Sequence, residues 1–261
     1  DQAILIFAAI FSIATSISSY WYSDKIVLAM TKAIPVKHGD NPELYHIVEN
    51  LCITAGLPLP KIFIIEEQQI NAFTTGRDAK HAIVVVTRGL LNKLEKTELE
   101  GVIAHELSHV GNKDMLLGTV IVILVGIIAM LSNIFLRIGF RSRRGNSDDN
   151  KGGALLLVLT ILAAILAPIA ANLIKLAISR KREFLADTDG ALLTRYPEGL
   201  AKALEKIGQD SAPLRVANNS TSHLFISSPF KGKQAKDWFV RMFSTHPPIE
   251  DRIKALRDMK V

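Results

Sequence analysis

The sequence is poor in cysteine and lacks any motif of interleaved aromatic and basic residues. Its single cysteine, Cys52, excludes an intrachain disulfide, and a reducing compartment is therefore permitted. Cys52 lies in an apparent amphipathic helix, where we expect a small buried side chain. The formal net charge is +6 and the pI is about 9.4. Without an RNA-binding type of motif, this charge does not indicate nucleic acid as a partner.

Charge is also missing from three long stretches, residues 3–23, 115–136 and 154–173. A helix of roughly 20 residues crosses a bilayer core, so we predict membrane spans. The first stretch ends in interface-type aromatics, Tyr20-Trp21-Tyr22, and lacks the basic start and the cleavage site of a signal peptide. The basic residues beside these stretches are Lys25, Lys32, Lys37, Arg137, Arg141, Arg143, Arg144, Lys175, Arg180, Lys181 and Arg182.

Four segments follow from this pattern. We predict a mainly α membrane protein made of a transmembrane helix with its exit segment (1–33), one half of a catalytic domain (34–114), a transmembrane hairpin (115–178) and the other half of that domain (179–261). A hairpin returns the chain to the side of the bilayer that it left. The two halves can therefore meet at one site.

The first half contains the stretch His105-Glu106-Leu107-Ser108-His109. We predict a helix over residues 97–112, because a capping-box pair and an apolar stripe agree on it: Thr97 with Glu100, and Leu99, Val102, Ile103 and Leu107. His105 and His109 then lie one turn apart and could bind one metal ion, while Glu106 could reach a water on that metal. An ordinary amphipathic helix with two histidines is the alternative.

A third metal ligand is available in the second half. Glu183 and Asp187 are four residues apart on a predicted helix. A carboxylate from a second helix completes a three-ligand site and leaves the fourth position for water. Asp187 could fix the tautomer of a ligating histidine. From these residues alone, a solvated carboxylate pair is the more common explanation.

Two β-branched runs, 61–66 and 82–87, predict strands, with residues 71–76 between them. We expect a small antiparallel sheet packed on helices. An edge strand of such a sheet has free backbone groups and could hold an extended peptide. A plain hairpin strand is an equal alternative at this point.

The order of these motifs resembles the HtpX-like membrane proteases, which belong to the gluzincin clan of zinc metallopeptidases and are related to the CAAX prenyl endoproteases. The resemblance runs from residue 71 to residue 252. It rests on the His105 motif with a later Glu183 and Asp187, on the membrane hairpin between them, and on Asn71-Ala72-Phe73, Arg182-Glu183-Phe184-Leu185-Ala186-Asp187, His223-Leu224-Phe225-Ile226 and Ser244-Thr245-His246-Pro247-Pro248.

The resemblance implies an integral-membrane zinc endopeptidase with a zincin-like α+β catalytic domain and one Zn²⁺ per chain. It implies that such a protein degrades damaged or misassembled membrane proteins from the cytoplasmic side of the inner (plasma) membrane, as a multi-pass protein. The implied roles are zinc ligation by His105, His109 and Glu183, general base catalysis by Glu106, substrate binding by Asn71, Ala72 and Phe73, and oxyanion stabilisation by His246 and Arg252. Such proteins usually have one more N-terminal span, which we expect upstream of Asp1.

Three alternatives stay open from the sequence. They are a CAAX-type prenyl-peptide endoprotease, a membrane zinc-binding or chaperone-like module without turnover, and a basic membrane-surface adaptor. The expected partners are a protein or peptide substrate and the lipid bilayer, not nucleic acid, and no oligomeric state is predicted. Both the 137–153 connector and the catalytic side are basic. Since the catalytic side carries more basic residues, we expect the connector on the non-cytoplasmic side.

Overall fold

A computed structural model describes residues 2–142, 151–212, 225–226 and 246–260. Several predicted features lie outside these residues. They are Asp1, the centre of the predicted connector (143–150), and the motif parts His223-Leu224 and Ser244-Thr245.

The described part of the chain is mostly helical and contains one small sheet. Its helices are α1 (Gln2–Trp21), α2 (Ser23–Thr31), α3 (Pro42–Ala55), α4 (Arg88–Lys93), α5 (Lys96–Gly111), α6 (Asp114–Ser142), α7 (Lys151–Thr194), α8 (Pro197–Gln209) and α9 (Ile249–Arg257). Its strands are β1 (Ile34–Pro35), β2 (Lys61–Ile65), β3 (Ala72–Thr75) and β4 (Ile83–Thr87), and a 3₁₀ turn covers Ala79–His81.

The chain divides into two compact units. The described residues of one fall within Asp1–Ile17 and Gly118–Ile178, and those of the other within Ser18–Leu117 and Ser179–Val261. The second unit contains the sheet and every predicted site residue that the structure describes.

The sheet is mixed, and the prediction of an antiparallel sheet is wrong. Its strand order is β1-β2-β4-β3, with β2 and β4 parallel and the other two pairs antiparallel. All five residues of β4 are buried, as expected of an apolar strand between two neighbours. The more polar β3 is an edge strand and pairs with β4 among the described strands.

Both faces of the sheet are covered by apolar side chains. One face packs on α3, α5 and α8 through residues that include Ile62, Ile64, Ala72, Val84 and Val86. The other face forms a smaller cluster that includes Val27, Ile65, Phe73, Val85 and Phe225. The alternation along β2 and β4 follows the two-residue period of a strand.

Helix α3 confirms the prediction for residues 41–55. The side chain of Asn41 accepts a hydrogen bond from the backbone N–H of Leu44 at 3.1 Å, and Gly56 ends the helix with φ +66°. Asn41 is an N-cap and Gly56 is a C-cap, and both satisfy backbone groups that lack partners within the helix.

Helix α5 confirms the predicted helix around His105, but its start is different. The capping interaction is made by Glu95, whose backbone N–H donates to the side chain of Glu98 at 2.8 Å, and not by Thr97 and Glu100. Glu98 is buried and also accepts a bond from Lys206 on α8 at 2.7 Å. This link fixes the first turn of α5 against α8.

The long helices differ from the predicted boundaries. Helix α6 continues through residues 137–142, which we had expected in the connector. Helix α7 covers 44 residues, so the apolar 154–173 stretch and the Glu183 segment belong to one helix. Pro168 lies inside α7, and Asn172 donates to its carbonyl group at 3.0 Å.

Among the residues that the structure describes, no single helix has both the length and the apolar character of a membrane span. Residues Lys96–Gly111 and Asp114–Ile128, bent by 58° at the break between α5 and α6, meet that test only as a pair.

Candidate metal centre

Helix α5 places two histidines on one face. The Nε2 atoms of His105 and His109 are 3.2 Å apart, and the two rings are nearly perpendicular with centroids 4.7 Å apart. On the opposite side of α5, Ile103 and Leu107 are buried in the core. The helical period therefore separates the apolar residues from the two imidazoles.

Helix α7 brings the third candidate ligand to this pair. One carboxylate oxygen of Glu183 lies 3.9 Å from His105 Nε2, and the other lies 3.6 Å from His109 Nε2. A tetrahedral zinc ion with bonds of about 2.0–2.1 Å to nitrogen and oxygen separates its ligand atoms by about 3.3 Å. The three side chains offer atoms within 4.8 Å of one another, and their chemistry and spacing fit this ion.

A close approach of the two helices makes this spacing possible. At Gly190 on α7, a Cβ atom would lie 2.8 Å from the backbone nitrogen of His105 and 3.0 Å from its Cα. At Gly101 on α5, a Cβ atom would lie 2.7 Å from the backbone nitrogen of Leu200 on α8. The absent side chains let α5 pack closely against both neighbours.

Asp187 lies one turn after Glu183 and faces His105. Its Oδ1 atom is 2.9 Å from His105 Nδ1, which leaves Nε2 of that ring facing His109 and Glu183. A carboxylate at the far nitrogen orients a metal-binding histidine and fixes its tautomer. The structure therefore brings Asp187 to the place where this role requires it.

Arg252 on α9 is fully buried against Asp187. Its Nε and Nη2 atoms donate to the two carboxylate oxygens of Asp187 at 2.8 and 2.7 Å, and Nη1 donates to the carbonyl oxygen of Ile226 at 2.9 Å. Nη1 also lies 3.3 Å from Glu183 Oε2. The folded chain uses this guanidinium as a buried, bidentate hydrogen-bond donor to Asp187.

The carboxylates of the site are held in their ionised form. Burial alone would raise the pKa of Glu183, but the positive charges of His246, Arg252 and His109 outweigh it and hold that pKa well below its usual range. Burial likewise opposes ionisation of Asp187, and Arg252 with His105 lowers its pKa to about 2. Ionised oxygen donors are the form that a metal cation needs.

Nearby negative charges favour the protonated form of His109. Burial lowers its pKa, but the hydrogen bond that the His109 Nδ1–H donates to Asp114 and the charges of Glu183 and Glu106 outweigh burial and raise the pKa to about 9. The site therefore attracts a cation at this position, and a bound metal ion would replace the proton.

Glu106 and His246 lie beside the three candidate ligands. Glu106 is 2% exposed, and its charge acts on both His109 and Arg252. His246 places its Nδ1 atom 3.1 Å from Glu183 Oε2. Both side chains lie close to the candidate ligands. The roles of Glu106 as general base and of His246 in oxyanion stabilisation stay predictions.

The predicted substrate segment is at the edge strand β3. The Asn71 side chain accepts from the backbone N–H of Ala72 at 3.1 Å and donates to Gln69 Oε1 at 3.1 Å. The backbone N–H of Ile226 donates to the carbonyl of Ala72 at 2.9 Å, and Phe225 contacts Phe73 edge to face. Part of the outer edge of β3 is thus already paired.

The sequence did not indicate the contacts of two side chains near the site, Asp114 and Arg182. Asp114 Oδ2 lies 2.7 Å from His109 Nδ1, and Arg182 forms an ion pair with Asp114. A carboxylate a few residues beyond the second histidine of a metal-binding helix was the available signal. It was weak, because the bend at Lys113 (φ +56°) decides where that carboxylate points.

Comparisons with known proteins identify relatives of this chain. Residues 39–260 match the description of peptidase family M48. A Protease HtpX homolog of Thermoanaerobacter pseudethanolicus is 46% identical over 98% of this chain and 84% of that protein. A Protease HtpX homolog of Desulforapulum autotrophicum is 47% identical over 97% of this chain and 80% of that protein.

The fold is also similar to a solved structure. The crystal structure of S. mikatae Ste24p aligns with a TM-score of 0.60 and 21% identity, over 98% of this chain and 58% of that chain. At this identity the likeness concerns the fold alone. The resemblance to HtpX-like proteases is confirmed by the family match and by the relatives. The chain belongs to peptidase family M48 and is a metallopeptidase of the HtpX type.

Proposed function

We propose that this metallopeptidase is a zinc-dependent endopeptidase with one zinc ion held by His105, His109 and Glu183. The observation that carries the proposal is the convergence of these three side chains, with spacings near those of a zinc tetrahedron. Two histidines and one carboxylate leave the fourth position for water. A structural zinc site usually closes that position with cysteine or histidine.

The chemistry divides among this chain's own side chains. Zinc, when bound, supplies a Lewis acid that polarises a peptide carbonyl and lowers the pKa of water. Glu106 accepts the proton of the attacking water, a role that suits a carboxylate buried beside the ligands. His246 and Arg252 offset the negative charge that develops on the carbonyl oxygen, His246 by contact and Arg252 by the field of its buried cation.

An extended peptide would lie along β3. Paired with β4, this strand alternates its backbone groups between the sheet and the outer edge. Because the backbone N–H of Thr87 donates to the Asn71 carbonyl, the backbone groups of Ala72 and Thr74 point to the outer edge of β3. The backbone N–H of Ile226 donates to the Ala72 carbonyl, so in the part of the chain that the structure describes a substrate backbone could add on at the outward backbone groups of Thr74.

The location and the substrates are part of the proposal. The charge-free stretches 3–23, 115–136 and 154–173, with basic residues beside them, support a multi-pass membrane protein. The larger basic set on the catalytic side supports a cytoplasmic active site at the inner (plasma) membrane. Protein segments close to that surface, including those of damaged or misassembled membrane proteins, are then the substrates.

The Glu106→Gln variant tests this function. We expect the purified variant in detergent to hold one zinc per chain by mass spectrometry, yet to lose about 10²–10⁴-fold of its activity on unfolded casein, since the base is gone but the ligands stay. Glu100→Gln on the partly exposed face of the same helix is the matched control and should cleave like the wild type.

The outcomes separate the alternatives. Cleavage by Glu106→Gln at the wild-type rate would overturn the assignment of the base. A wild-type protein that binds zinc but cleaves nothing would favour a zinc-binding or chaperone-like module. Cleavage of a farnesylated peptide in strong preference to casein would favour a CAAX-type prenyl-peptide endoprotease.

A further inference from the structure

Each candidate histidine ligand has its own carboxylate at the far ring nitrogen. His105 has Asp187 at 2.9 Å, and His109 has Asp114 at 2.7 Å, both at Nδ1. The two carboxylates come from different elements, because Asp187 is on α7 and Asp114 is the first residue of α6. Both rings therefore present Nε2 to the centre for the same physical reason.

Asp114 is placed by a sharp turn after α5. Lys113 has φ +56°, a left-handed backbone conformation that interrupts the chain between the end of α5 at Gly111 and the start of α6 at Asp114. A straight continuation of α5 would put residue 114 about 140° around the helix from His109, away from the imidazole. The bend brings the carboxylate back over the ring.

Arg182 connects this turn to the other ligand-bearing helix. Its Nη2 atom pairs with Asp114 and donates to the carbonyl oxygen of Asn112 at 3.0 Å. Arg182 directly precedes Glu183 on α7. One guanidinium thus links the residue that orients His109 to the segment that carries the third ligand.

We propose that Asp114 and Arg182 are positioning residues of the metal centre, where Asp114 orients His109 and Arg182 holds Asp114 against the Glu183 segment. The inference rests on the proposed zinc site and extends it to a second pair of residues around the ligands. Partners of this kind raise the basicity of a ligating histidine and fix its tautomer. Their loss lowers metal affinity even though every ligand is still present.

The same turn contains a control that separates orientation of His109 from stabilisation of the turn. Asn112 donates through its side chain to Asp189 Oδ2 on α7 at 2.6 Å. This bond also ties the turn to α7, but neither Asn112 nor Asp189 is a candidate ligand. Removing the charge of Asp189 therefore loosens the turn without removing the carboxylate from His109.

The experiment measures zinc affinity by competition with a chromogenic chelator, on the full chain in detergent at fixed pH. We expect about 10–100-fold weaker binding for Asp114→Asn, and affinity within about threefold of the wild type for Asp189→Asn. Because one nitrogen of Arg182 makes both contacts, Arg182→Lys should keep most of the affinity, whereas Arg182→Gln should lose it. The absorption spectrum of the Co²⁺-loaded protein should change in Asp114→Asn and not in Asp189→Asn.

Each result bears on one proposal. Wild-type affinity and an unchanged cobalt spectrum in both Asp114→Asn and Arg182→Gln would overturn the positioning role. Equal losses in Asp114→Asn and Asp189→Asn would also overturn it, since the turn alone would then explain them. A wild-type protein that binds no zinc would instead overturn the proposed function. If Asp114→Asn does not fold, Asp114→Glu, which restores a carboxylate, must recover measurable affinity with a shifted cobalt spectrum.

Discussion

Replacement of Arg252 by methionine tests how the centre is held together without its metal. The guanidinium is completely buried and makes two bonds to Asp187 and one to the Ile226 carbonyl, with Glu183 also within 3.3 Å. Methionine keeps much of the side-chain volume and removes the charge. Two buried carboxylates then lose the nearest permanent cation.

The expected loss follows from this burial. Breaking a buried ion pair by removing one partner costs about 3–5 kcal/mol, because the remaining charge is left without compensation in a poorly solvated place. For a domain of about 150–250 residues, each kcal/mol shifts the unfolding midpoint by about 2–4 °C. We therefore expect Arg252→Met to lower the midpoint of the zinc-free protein by about 6–20 °C.

Thermal unfolding of the chelator-treated protein in one detergent is the assay, followed by tryptophan fluorescence and repeated with zinc. With zinc present we expect a smaller difference, since a cation again faces Glu183. The double variant Asp187→Asn/Arg252→Met should lose about 1–3 kcal/mol less free energy of unfolding than the sum of the losses in the two single variants. Arg257→Met, an exposed arginine on the same helix that pairs with Glu198 and Glu205, should change the midpoint far less.

One result would refute this reasoning. If zinc-free Arg252→Met unfolds within about 3 °C of the wild type, corresponding to about 1 kcal/mol, the buried carboxylates do not depend on the guanidinium. Equal effects of Arg252→Met and Arg257→Met would lead to the same conclusion, because burial would then make no difference.

Two further predictions concern helix packing and orientation. Gly190→Ala should weaken zinc binding and lower the unfolding midpoint, because its Cβ would lie 2.8 Å from the backbone nitrogen of His105. Gly118→Ala, which has open space around its Cβ, should change neither quantity. Equal behaviour of the two variants would contradict this packing argument. The second prediction concerns Ser147, in the connector and outside the described residues. A Ser147→Cys form that also carries Cys52→Ala should react with an impermeant thiol reagent from the non-cytoplasmic side. Labelling from the cytoplasm only would reverse the proposed orientation.

The helices explain why the candidate ligands are far apart in the sequence. His105 and His109 are on α5, and Glu183 is far along the chain on α7. Helical geometry relates the first two directly, because residues four apart share a face. The third could be chosen over other carboxylates only through the family resemblance, since spacing along the chain does not report which helices pack together.

The sheet shows a similar limit. The runs at 61–65 and 83–87 were recognisable as strands, because their β-branched residues and period are local properties. Their parallel pairing was not recognisable. Strand order depends on which strand takes a neighbour on each side, and β4 takes that place between β2 and β3 although β3 precedes it in the sequence.

The sequence by itself determined the helix that carries the two histidines, the apolar stretches and the chemical types of the candidate ligands, because helical period, hydropathy and side-chain chemistry are encoded within a few neighbouring residues. Only the tertiary structure decided that Arg252 is buried between Asp187 and Glu183, and that Asp114 faces His109. These contacts depend on a backbone turn and on helix packing between distant segments. The direction of a side chain after a turn at positive φ is not written in the local pattern.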